Sequence, residues 1–174
     1  MTISGETEDF KKILHWVKDV LTPEKTMILG YSMGALETAL CCREILLDGI
    51  LFWSPVSRAY ECFMHLLGKE RFTYGMAGNN VDFMGDRIGK EFFRDIKDNP
   101  LDGIAAIKDF EKPVYFIHGD ADTDVLPENS ERYMEVLPHA ERKFVRGAGH
   151  GYDGWEKQDD LWKYSKEYIR RIMK

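Results

Sequence analysis

Gly30-Tyr31-Ser32-Met33-Gly34 is the stretch that most limits how this chain can fold. Before it stands a short apolar run, Thr26-Met27-Ile28-Leu29, with the length of a buried strand. After it, residues 33–46 are rich in Ala, Leu and Cys and read as a buried helix. G-x-S-x-G between a strand and a helix demands a sharp, strained turn, so the positions flanking the serine need residues without Cβ bulk. Such a turn lifts the Ser32 hydroxyl to the carboxyl end of the strand, where a nucleophile is exposed. It also aims main-chain N–H groups at the helix start, that of Met33 first, at a developing oxyanion. With 15 glycines and 6 serines in 174 residues, chance alone yields the pattern about 0.04 times.

The rest of the chain alternates helix and strand. Phe10, Ile13, Leu14, Val17, Val20 and Leu21 recur at helical spacing over 8–21, and Thr22-Pro23 stops that helix. Strands are expected over 50–53, 113–117 and 142–145, and helices over 128–137 and 161–173. This alternation implies parallel strands in an α/β sheet. Residues 55–110 break the rhythm with mixed helix and turn signals and many aromatic and Met residues. So long an excursion between strands reads as a lid or cap on a single domain spanning 1–174, whose core is 1–54 and 111–174.

A nucleophilic serine needs a base. His150 lies in Gly147-Ala148-Gly149-His150-Gly151, after the last strand, where glycines let an imidazole reach a neighbouring loop. His118 ends a strand and reads as a structural hydrogen-bonding residue; His15, His65 and His139 read as solvated or capping residues. An acid must orient the base. Asp120, Asp122 and Asp124 follow the third strand; Asp122 is preferred, but position alone does not separate them. The order Ser32, Asp122, His150 is that of strand–turn–helix hydrolases. Asp120-x-Asp122-x-Asp124 with Glu131 imitates a calcium loop, yet Val125 stands where glycine is required and a strand precedes it, so no metal is expected.

These segments resemble the α/β-hydrolase superfamily, within its compact serine esterases. His118-Gly119, Asp122, Val125 and Pro127 match the family's acid-loop pattern, and Gly149-His150-Gly151 its histidine loop. The first helix and the insertion after Trp53 are similar to those of feruloyl- and cinnamoyl-type esterases. The resemblance implies an α/β-hydrolase fold with a mostly parallel sheet, helices on both faces and a lid. It implies a Ser32–His150–Asp122 triad with Met33 N–H in the oxyanion hole, cleaving carboxylic esters through an acyl-enzyme, possible bulky or aromatic acyl groups included. A peptidase or amidase shares the same constellation. The family has several strands and an H-G loop before the elbow strand, whereas here one helix precedes Thr26. The chain thus resembles an N-terminally truncated hydrolase, and Met1 is expected to be internal to a longer reading frame. A weak or inactive fragment acting in assembly is the competing expectation.

Composition removes other classes. The net charge is −6, which argues against a nucleic-acid groove or an anionic membrane patch. Aromatic content of 13% and charged content of 31% argue against disorder. No apolar run reaches the ~20 residues of a membrane span. Residues 1–6 carry no basic or apolar export signal. Cys41, Cys42 and Cys62 are odd in number; the first two read as core-facing helix residues, and a reducing cytoplasm is the expected location. The expected partner is a small-molecule ester, with no cofactor, no nucleic acid and no membrane. An unpaired, apolar strand 26–29 would also favour a homo-oligomer through that edge.

Overall fold

A computed structural model describes residues 1–44 and 46–174. Helix α1 (Ile3–Trp16) starts earlier than the apolar spacing suggested, because Thr2 caps it by accepting the Gly5 N–H. It passes into a π-helical turn, Val17–Leu21, and Thr22 ends it with a left-handed backbone. Of the apolar residues that marked this helix, only Leu14 is fully buried; Ile13, Val20 and Leu21 are exposed. Strand β1 (Met27–Tyr31) then leads through Ser32 into α2 (Met33–Cys41). That helix ends five residues before the expected stop at 46, and position 45 lies outside the described residues. Cys41 and Cys42 are buried and unpaired.

Strand β2 (Gly49–Trp53) is followed by the insertion: α3 (Ala59–Leu67), α4 (Lys69–Met76), a hairpin of β3 (Val81–Phe83) and β4 (Asp86–Ile88), then α5 (Lys90–Asp98); α6 (Gly103–Ile107) falls inside the expected 55–110 lid but belongs to the core, with Ile104 and Ile107 packed on the sheet. Met84 and Gly85 both take positive φ in the hairpin turn, the handedness that matches twisted antiparallel strands. The chain closes with β5 (Val114–Gly119), α7 (Glu128–Val136), β6 (Glu141–Val145) and α8 (Trp155–Met173). Helix α8 begins six residues before the expected 161.

The main sheet is parallel, in the order β1-β2-β5-β6. Its two inner strands are continuous apolar runs because both of their faces are covered. Each new strand is added on the same side of the last. Right-handed crossovers therefore carry α2, α6 and α7 over one face, and α8 returns over the other. Two core clusters reflect this. Ile28, Ala35, Phe52, Phe116 and Tyr133 fill the first face, and Leu51, Tyr115, Ile117, Tyr168 and Ile172 the second. A third cluster belongs to the insertion, where Phe72, Phe92 and Phe93 pack with Leu36 of α2. Parallel strands place all their carboxyl ends along one edge of the sheet, and the loops there assemble the site.

Candidate active site

Ser32 has φ 55° and ψ −120°, a conformation few L-residues adopt. It is held there by main-chain bonds on both sides. Its N–H donates to Trp53 O, while its own carbonyl accepts from Ala35 N and Val56 N. Gly30 is sterically required, since a Cβ there would lie 2.7 Å from Ala35 Cα. The same expectation fails at Gly34, where a Cβ would meet nothing within 4 Å. Only the strand-side glycine is packed against the helix.

Ser32 Oγ lies 2.9 Å from His150 Nε2, and His150 Nδ1 lies 2.8 Å from Asp122 Oδ2. A carboxylate only accepts, so Nδ1 carries the proton and Nε2 accepts from the serine hydroxyl. Asp122 is buried. Burial pushes its carboxyl pKa up, but the His118 ring 3.4 Å away, the hydrogen bond with His150 and that from the Val125 N–H outweigh burial and hold it well below the usual carboxylate range. Its other oxygen, Oδ1, accepts from Asp124 N and Val125 N, which fixes the side chain from behind. The Met33 N–H opens α2, where main-chain donors lack intrahelical partners.

The aspartates of the loop are separated by this geometry. Asp120 Oδ1 accepts the Gly147 N–H at 2.5 Å and ties the acid loop to the histidine loop. Asp122 faces the imidazole, and Asp124 is exposed. His118 is buried; its Nε2–H donates to Val125 O at 2.8 Å and its Nδ1 pairs with Ser130 Oγ at 2.6 Å, so it braces the acid loop. His65 is exposed and meets Thr123 O through Nε2.

Two tyrosines not singled out by the sequence reading complete the surroundings. Tyr152 has φ 51° and donates to Ile117 O, while the Ser54 hydroxyl donates to it. This pins the histidine loop to the ends of β2 and β5. Tyr31 donates its hydroxyl to His150 O at 2.7 Å and stacks its ring on the imidazole. An aromatic at the second position of G-x-S-x-G was the available signal for it. Beside Met33 a cavity of about 530 Å³ opens between Phe63, Phe92 and the β4 segment Asp86, Arg87 and Ile88. Among the described residues, no group of three or more His, Cys, Asp or Glu is placed to hold a metal, and no helix is long and apolar enough to cross a membrane.

No protein-family model matches the chain, and no curated protein is similar to it in sequence. Solved structures are similar in shape. Est1E from Butyrivibrio proteoclasticus superposes with a TM-score of 0.82 at 19% identity, covering 99% of this chain and 72% of Est1E. A monoacylglycerol lipase from Paleococcus ferrophilus gives 0.70 at 20% identity, covering 99% and 76%. Mouse alpha/beta hydrolase domain-containing protein 10 gives 0.71 at 13% identity, covering 99% and 71%. The chain has the α/β-hydrolase fold. Within that fold it is similar in shape to esterases, Est1E among them, over roughly seven tenths of their length.

Proposed function

We propose that this chain is a serine hydrolase that cleaves carboxylic esters through an acyl-enzyme. The observation that carries the reading is the unbroken hydrogen-bonded line from Ser32 Oγ through His150 to Asp122. Ser32 Oγ attacks the acyl carbon while His150 Nε2 takes the hydroxyl proton. The carbonyl oxygen becomes an oxyanion and receives the Met33 N–H. The tetrahedral intermediate collapses, the C–O bond to the alcohol breaks, and His150 returns its proton to the leaving oxygen. Water, deprotonated by His150, then attacks the acyl-serine and frees the acid. Asp122 stays ionised throughout and stabilises the imidazolium.

The cavity beside Met33 is lined by Met1, Phe63, Phe92 and Ile88, with Asp86 and Arg87 also on its wall, and its apolar side suits a bulky or aromatic acyl group. The insertion supplies most of the wall of this cavity, with Met1 and Met33 completing it. Est1E, similar in shape, has been solved with ferulic acid bound. Aryl and hydroxycinnamoyl esters are therefore the substrates to test first. The expected outcome is turnover by the parent chain and none above background by Ser32→Ala. Equal rates for parent and variant on every ester would sink the proposal.

A further inference from the structure

His150 sits in a glycine-rich loop, among Gly147, Gly149 and Gly151, that is tied down before it where Asp120 holds the Gly147 N–H and after it where Tyr152 meets Ile117 O and Ser54. Asp122 and Ser32 each hold one ring nitrogen, but neither restrains the main chain that carries the ring. Tyr31 does both. Its hydroxyl donates 2.7 Å to the His150 carbonyl, which fixes the main chain. Its ring lies 5.1 Å from the imidazole, tilted 23°, which covers one face of the ring. Tyr31 is itself buttressed edge-on by Trp53, whose Nε1–H donates to Ser165 Oγ of α8 and whose ring abuts Trp162. Tyr31 directly precedes Ser32, so one residue of the elbow strand reaches back and clasps the base. Partial burial and the nearby carboxylates of Asp122 and Asp124 push its phenol pKa up, which keeps the hydroxyl a donor.

We infer that Tyr31 is a positioning residue for His150, holding ring and main chain together so that Nε2 stays within reach of Ser32 Oγ. The inference rests on the triad reading above. Two contacts of different kinds can be removed one at a time. Tyr31→Phe keeps the stack and loses one hydrogen bond, for a fall in kcat of about fivefold. Tyr31→Leu loses both, for a fall of roughly 10- to 100-fold. In both variants KM stays within about twofold, because the acyl cavity is lined by other residues.

The test joins kinetics to the proton NMR resonance of the His150 Nδ1–H that bridges to Asp122. The parent should show this resonance, Tyr31→Phe should keep it with faster exchange to water, and Tyr31→Leu should lose it. A Tyr31→Leu protein that melts cooperatively and retains the parent's resonance and kcat would overturn the inference. If Tyr31→Leu does not fold, Tyr31→Phe decides: unchanged kcat with unchanged proton exchange overturns it. A parent that shows the resonance but hydrolyses nothing sinks the hydrolase reading instead, and the exchange rates in the two variants still decide the role of Tyr31.

Discussion

Ser32 Oγ and His150 Nε2 are 2.9 Å apart although 118 residues separate them in the chain. They meet because the parallel strands β1 and β6 both point their carboxyl ends to the same end of the sheet, and because Asp122, after β5, turns the imidazole toward the serine. The consequence for Asp122→Asn is specific. The asparagine oxygen can still accept from Asp124 N and Val125 N, so the loop keeps its shape. Its NH₂ would face Nδ1 and force the proton to Nε2, where it cannot accept from Ser32. The expected result is an intact fold and a fall in kcat of about 10⁴-fold, read by steady-state kinetics beside a melting curve.

The two glycines of the elbow are not equivalent. Gly30→Ala drives a Cβ against the backbone of α2, at a cost of about 1–3 kcal/mol. Gly34→Ala meets open space on a helix and should gain up to about 1 kcal/mol. Urea unfolding of the two variants should therefore move in opposite directions.

Glu37 of α2 turns a carboxyl inward. Its Oε1 has no hydrogen-bond partner, and the carboxyl faces that of Glu6 on α1. Burial first, and the neighbouring Glu6 carboxyl second, push its pKa up to about 8. A folded-state pKa above the unfolded one contributes stability that is complete below the unfolded value, near 4.5, and is lost as pH rises through about 8. The melting temperature of the parent should fall between pH 5 and pH 9 by more than that of Glu37→Gln. Parallel curves would contradict this.

The two edges of the sheet are unlike. Strand β6 carries Glu141, Arg142 and Lys143, charges that discourage pairing with another chain. Strand β1 carries none, and Leu29 and Tyr31 are 39% and 40% exposed. Ser32 N–H bonds to Trp53 O, so by alternation the main-chain groups of Met27, Leu29 and Tyr31 point outward. A twofold axis at Leu29 would pair all three with a second copy and extend the sheet. The chain is expected to self-associate through β1, and Leu29→Lys to shift it toward monomer in size-exclusion chromatography with light scattering. A parent that remains monomeric at high concentration would contradict this.

Much of the site was legible because its chemistry needs particular residues in a particular order. The elbow, the histidine loop and the alternation of strands and helices all leave local marks. Asp122 is preferred over Asp120 and Asp124 in the sequence, but position alone does not separate three carboxylates that differ in where the folded loop points them. Helix α1 covers the expected 8–21 with its π-helical turn, and only its start at Ile3 leaves no periodic mark. Helical spacing of Ile13, Val20 and Leu21 marks a helix but not their burial, which depends on what packs above them, and the N-terminal start depends on the Thr2 cap. The length of α2 was overestimated because apolar residues continue past Cys41 into the loop before β2. The Tyr31–His150 contact leaves no local mark, because 119 residues separate the two in the chain.

The central claim, that Ser32 is an activated nucleophile in an assembled triad, is tested most directly by intact mass spectrometry after exposure to a fluorophosphonate. The account predicts a single adduct on the parent chain and none on Ser32→Ala. A folded parent that takes no adduct, or a Ser32→Ala chain that takes the same one, would contradict it.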